Sequence, residues 1–224
     1  MKLKSVIAAA AALCISGLAS ATTSVNAGPY TLTYDETTAG FGWLSGSTTG
    51  SFEWSLQKAV SVQSFSAGSV TATFALPDFT ITANPGYALS GVLTGSIGNV
   101  VYFEAGPAAS TNMAAGATLT VGANPAVVIP VASLVKTSTN LNSGWFAGTA
   151  SAPIGTVNSL SVTGGTLVLT ANAGAASFAA ITGQPQNKLK FEFTAVPVPE
   201  PETYALLLAG LGMVGMIARR RQPR

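Results

Sequence analysis

Lys188-Leu189-Lys190-Phe191-Glu192-Phe193-Thr194 changes from polar to apolar at every step. That period of two is the mark of a strand with one face on a core and the other in water. Val70-Thr71-Ala72-Thr73-Phe74-Ala75-Leu76 repeats it, with Val70, Ala72, Phe74 and Leu76 on one side. Around Gly164-Gly165 a two-residue turn sets Val162 opposite Leu167 and Leu160 opposite Leu169, so a hairpin is predicted there. Further strands are expected near 30–35, 51–57, 59–65, 78–83, 87–94, 98–104, 117–121, 126–135 and 145–150. No long amphipathic helical pattern and no fixed-period repeat interrupts them. Short strands at this spacing predict an all-β fold, an antiparallel β-sandwich of jelly-roll-like type, as a single domain over residues 22–195. The Ala/Gly-rich segments Ala105–Gly116 and Ala171–Ala176 fit loops or short helical turns.

Outside this region the composition changes. The chain has 224 residues, of which 8% are charged and 48% hydrophobic, with no histidine and one cysteine. Catalytic triads that need His, and metal sites built on His and Cys, are thereby excluded, and no cofactor or metal is expected. The formal charge is +2, yet Lys2, Lys4, Arg219, Arg220, Arg221 and Arg224 all lie at the two ends. Between them Lys58, Lys136, Lys188 and Lys190 face eight acids. The middle is mildly acidic, with no basic patch for nucleic acid.

Residues 1–21 read as a signal peptide. Lys2 and Lys4 precede an apolar run from Val6 to Leu18, and Ala19-Ser20-Ala21 supplies the small-x-small pattern that signal peptidase accepts. Cys14 follows Leu13 rather than a small residue, so it does not read as a lipoprotein site and is discarded with the signal. The mature chain then begins at Thr22 and holds no cysteine for disulfides. The general secretion machinery is the expected export route.

At the other end, Val196-Pro197-Val198-Pro199-Glu200-Pro201 is stiffened by proline into an extended segment. Glu202-Thr203-Tyr204 follows, then Ala205 to Ala218 without a charge, then Arg219-Arg220-Arg221. At 1.5 Å per residue the uncharged run is roughly 21–24 Å long, against a hydrocarbon core of about 30 Å. A short transmembrane helix is expected, with Tyr204 at the interface, the arginines as cytoplasmic stop, and transient insertion in the inner membrane.

Val198-Pro199-Glu200-Pro201, Thr203-Tyr204, Ala205–Ala218 and Arg219–Arg221 together resemble the PEP-CTERM sorting signal of Gram-negative bacteria. Glu202 stands where that pattern more often has Ser. The resemblance covers only about the last 27 residues, so residues 196–224 form a sorting segment and the passenger is untouched by it. It implies processing near Pro-Glu-Pro by an exosortase, a membrane transpeptidase. It also implies passage to the cell surface or to an extracellular biofilm matrix.

Within the passenger, Trp43, Trp54 and Trp145 lie beside turn-rich segments. Trp54 shares its alternation with Phe52 and Leu56 and is expected in the core. Trp43 and Trp145 are the candidate glycan contacts, because an exposed indole offers an apolar face and a hydrogen-bond donor to a sugar, and exopolysaccharide is the partner they suggest. A glycoside hydrolase-like alternative would need two facing carboxyls from Asp35, Glu36, Glu53, Asp78 and Glu104, and their spacing points to no pair. Thr31/Thr33, Thr71/Thr73, Thr80/Thr82, Thr118/Thr120 and Thr137/Thr139 recur at irregular intervals and read as the solvent side of strands, not as an ice-matching face. The expectation is a secreted, non-catalytic passenger, with a purely structural matrix protein as the other alternative.

Overall fold

A computed structural model describes residues 22–35, 41–57, 60–124, 127–137, 140–184, 186, 188–199 and 201–220. Residues 1–21, expected to be a signal peptide and including Ala19 and Ala21, lie outside the described residues, as do Glu36, Glu200 and Arg221.

Among the described residues fourteen strands, numbered in chain order, form two seven-stranded antiparallel sheets. The first sheet runs β1 (Thr22–Asn26), β2 (Tyr30–Asp35), β7 (Phe79–Ala83), β12 (Ser159–Ala173), β9 (Ser110–Val121) and β10 (Val127–Thr137), with β6 (Gly68–Ala75) also paired to β12. The second runs β3 (Phe41–Thr48), β4 (Ser51–Leu56), β14 (Lys188–Pro197), β8 (Tyr87–Ala105), β13 (Phe178–Thr182) and β5 (Ser61–Ser64), with β11 (Leu141–Val157) along β8. The antiparallel sandwich is therefore observed, with more strands than the eight of a jelly roll. Among the described residues one helix, α1 (Pro201–Arg220), follows.

The sheets meet through aromatic side chains. In β14, Leu189, Phe191 and Phe193 are buried while Glu192 is exposed, as the alternation predicts. Phe191 lies 4.6 Å, ring centre to ring centre, from Phe79 of the opposite sheet, and Phe193 lies 4.8 Å from Tyr30. Phe52 meets Phe79 edge-on at 5.1 Å, and Trp54 meets Tyr34 at 5.6 Å. Trp54 is thus a core residue, as expected. Burying such rings supplies the dominant stabilisation, and edge-to-face pairs add about 0.5–1.5 kcal/mol each.

Three sequence expectations are corrected. Gly164-Gly165 is not a hairpin turn: it lies inside the single strand β12, where Thr163 opposes Thr118, Thr166 opposes Gly116, and the two glycines bulge against Ala117. One edge of β12 changes partner at this bulge, from β7 at Ser159–Val162 to β6 at Thr166–Ala173. The Gly164 N–H donates to Asp78 Oδ1 at 2.8 Å and the Leu76 N–H to the Gly165 carbonyl at 2.8 Å, which pins the kink between β6 and β7 to the bulge. The segments near 87–94 and 98–104 likewise belong to one strand, β8, interrupted by a bulge at Gly98-Asn99 opposite Ala147. Finally, much of the Ala/Gly-rich stretch before Gly116 is strand β9, because small side chains fit a sheet that is paired on both sides.

Candidate functional site

Two regions carry the candidate residues. The first is the junction between the sandwich and the C-terminal segment. Strand β14 stands between β4 and β8 and remains paired up to Pro197, opposite Tyr87. One residue further, the Val198 N–H donates to the Gly86 carbonyl at 2.8 Å. Asn84 braces the same corner: its side chain donates to the Gly28 carbonyl at 2.7 Å and accepts from Thr31 Oγ1 at 2.8 Å. Val198 and Pro199 are exposed, and Pro201 opens α1 at its first position, where a missing N–H costs nothing.

The helix α1 exposes Tyr204 and apolar side chains around its circumference, including Leu206, Leu208, Leu211, Val214 and Ile217. The expectation of a short transmembrane helix is nevertheless corrected: among the described residues no helix is long and apolar enough to cross a membrane. The uncharged run is fourteen residues, short of the ~30 Å core, and Gly210, Gly212 and Gly215 dilute its apolarity. Arg219 is exposed at the helix end and Arg220 is the last helical residue.

The second region is the outward face of the second sheet. On β8, Val100, Tyr102 and Glu104 point into the core, so Val101, Phe103 and Ala105 face out. Trp145 on β11 stands directly opposite Val101, and its indole is 67% exposed. Trp43 is placed on β3, and its side chain lies outside the described residues. Sequence reasoning missed the other rings of this face. Phe178 stands between Phe65 and Phe103, with ring centres 4.9 and 5.8 Å away. These three phenylalanines come from separate parts of the chain, and no local pattern links them.

On the other side of Trp145, past the Gly98-Asn99 bulge, is a shallow groove of about 430 Å³ lined by Glu53, Ser96, Asn99, Thr149, Lys188 and Lys190 among others. Bulges recur beside functional sites because they re-aim side chains. The groove's charges are already matched. Lys188 Nζ lies 3.5 Å from Glu53 Oε1 and donates to Ser45 Oγ at 2.8 Å, and Lys190 pairs with Glu192.

Two further acids, Glu104 and Asp78, have structural partners. Glu104 is fully buried and accepts from Thr111 Oγ1 at 2.7 Å and Asn142 Nδ2 at 3.0 Å. Asp78 caps the β12 bulge. Among the described residues there is no group of three or more His, Cys, Asp or Glu fit to hold a metal ion.

The threonines show an order that their sequence intervals conceal. Ser24, Thr33, Thr80, Ser161 and Thr120 stand opposite one another across β1, β2, β7, β12 and β9. Four steps of sheet twist, at roughly 20–25° each, turn the ends of this row well away from one plane. Neighbouring hydroxyls also satisfy each other, as Ser24 and Thr33 do at 2.9 Å.

Residues 197–222 match the PEP-CTERM protein-sorting motif. The chain therefore carries the signal of exosortase-sorted exported proteins, which implies export to the cell envelope or surface and an exosortase as processing partner. Comparison with curated proteins gives no match. Among solved structures, TmCBM61 in complex with beta-1,4-galactotriose is similar at 7% identity, over 72% of this chain and 70% of that one, with a TM-score of 0.21. A chain from infectious bursal disease virus Gx strain is similar at 13% identity, over 65% of this chain and 41% of that one, with a TM-score of 0.17. At those scores neither likeness bears on fold or function.

Proposed function

We propose that this chain is a non-catalytic protein of the cell surface or extracellular matrix whose sandwich binds polysaccharide through Trp145. Residues 1–21 are removed as a signal peptide after Ala21, and the sorting segment is processed by an exosortase near Val198-Pro199-Glu200-Pro201. Thr22 in β1 is already paired with Asp35 of β2, which suits a mature chain that starts there. The acids found in hydrogen bonds and ion pairs support a binding role more than a hydrolytic one.

The observation that carries the binding reading is the exposure of Trp145 on a strand paired along β8. A large ring left in water on a soluble face forfeits the transfer free energy that burial would supply, about 1.5–3 kcal/mol for a large apolar side chain. A sugar ring stacked on it recovers part of that. The test is retention on immobilised envelope and matrix polysaccharides by affinity electrophoresis. Wild type is expected to be retarded and Trp145→Ala to run freely, with unchanged thermal unfolding. Equal mobility of the two in every polysaccharide would overturn the reading.

A further inference from the structure

We infer that the polysaccharide site extends well beyond Trp145, as one track over the outer face of the second sheet, and that it takes a neutral glycan chain several sugars long. This rests on the binding reading above and adds the ligand's charge, its length and the residues that hold it. The register places the parts side by side. Ala180 stands opposite Phe103 and Gln63, and Ser143 opposite Phe103 on the far edge of β8. The Phe65–Phe178–Phe103 strip therefore runs from Phe65, the residue after β5, across β13 to β8 and ends beside β11, where Trp145 stands two residues from Ser143. Odd-numbered residues of β11 from Leu141 to Thr149 are all exposed, so the same face continues past Trp145 to the groove at Thr149. Eight residues of strand cover about 27 Å, longer than any single sugar.

The chemistry of the face selects its occupant. Rings are interleaved with the hydroxyl and amide groups of Ser143, Thr182 and Gln63 at outward positions. A dry contact between protein copies favours a contiguous apolar core, whereas a sugar presents an apolar ring face bordered by hydroxyls and matches this alternation. Among the described residues the strip holds no ionisable side chain, and the groove's two lysines are matched by Glu53 and Glu192. Among the described residues of this face a polyanion would find no uncompensated cation, while a neutral chain loses nothing.

The full chain is tested by calorimetry against soluble neutral glucans and galactans, with alginate as the polyanion, and against oligosaccharide series of increasing length. Phe65→Ser and Phe103→Ser are compared with Phe103→Tyr, which keeps a ring, and far-UV circular dichroism checks the fold. Neutral chains are expected to bind with little dependence on salt. Each serine variant should weaken long chains by roughly threefold to tenfold and leave the shortest oligosaccharides unchanged, while Phe103→Tyr stays near wild type. If Trp145→Ala abolishes binding but the phenylalanine variants bind all lengths like wild type, the extended track is wrong and the binding reading stands. Binding of alginate alone, lost at high salt, would overturn the neutral ligand. If no polysaccharide binds at all, the binding reading fails with it. Concentration-dependent self-association that Phe65→Ser abolishes would assign the strip to a contact between copies and overturn the track.

Discussion

At the scale of single residues, Tyr30 shows how a sandwich this poor in charge still acquires a pH response. Its ring is buried among Phe52 and Phe193, and its hydroxyl donates to the Ser51 carbonyl at 3.1 Å and lies 3.2 Å from Ser47 Oγ. Burial pushes the phenol above its usual value of 10.0, and the hydrogen bond with Ser47 offsets this in part. An acid whose folded-state value is raised keeps its full contribution below the unfolded value and loses it as pH climbs through the folded one. Stability should therefore fall above about pH 10, where the unfolded chain releases this proton first. Tyr30→Phe removes the titration and the hydrogen bonds together. It should be less stable than wild type by about 1–2 kcal/mol at neutral pH, and that gap should narrow steadily above pH 10. Urea unfolding of both proteins across that range measures it, and a gap independent of pH would refute the assignment.

At the scale of elements, the bulges decide which parts of the fold are legible in the sequence. Gly164 has a φ of +61°, and a Cβ on Gly165 would sit 2.8 Å from Leu76 Cβ, so both positions need glycine for different reasons. Gly165→Ala should cost about 1–3 kcal/mol by overpacking, and Gly164→Ala about 1–2 kcal/mol by backbone strain. Both should lower the urea midpoint without changing the slope of unfolding. A Gly165→Ala protein as stable as wild type would mean that β6 and β7 are not held at this kink. The same pair misleads a reader of sequence because the residues that allow a tight turn also allow a bulge, and only the partner strand separates the two. Uninterrupted alternation was read correctly: β14 has the predicted faces, and Trp54 is buried with Phe52 and Leu56. Bulged strands such as β8 shift their alternation and read as two. The candidate site divides in the same way. Trp145 stands out as a rare residue in a turn-rich stretch, while Phe65, Phe103 and Phe178 meet only through register between strands distant in sequence.

At the scale of the whole molecule, the order of strands ties folding to processing. The last strand in sequence, β14, is interior to its sheet and supplies Phe191 and Phe193 to the aromatic core. The sandwich cannot close until residues up to Pro197 are available, and the sorting segment begins where that pairing ends. The hydrogen bond from Val198 to Gly86 extends the paired backbone one residue further, so the backbone free of sheet pairing starts at Pro199. Sheet pairing keeps a backbone out of a processing enzyme's groove, so cleavage is predicted beyond Val198, with β14 retained in the product. Protein released at the surface should accordingly begin at Thr22 and end between Pro199 and Ala205, as read by intact-mass spectrometry. A released product still ending at Arg224 would contradict sorting through this segment, and one ending before Pro197 would contradict a role for the fold in limiting it. Truncations separate the two dependences. A chain ending at Pro199 should unfold at the same urea concentration as the full chain, because α1 adds no strand to either sheet. A chain ending at Glu192 loses Phe193 and the Thr194–Pro197 pairing with β8. It removes one buried aromatic from the central cluster, a loss of about 3–5 kcal/mol before the unpaired β8 backbone is counted. Against a typical total of about 5–15 kcal/mol, that chain should be largely unfolded or degraded on export. If it folds as stably as the chain ending at Pro199, the coupling between the end of the fold and the start of the sorting segment does not exist.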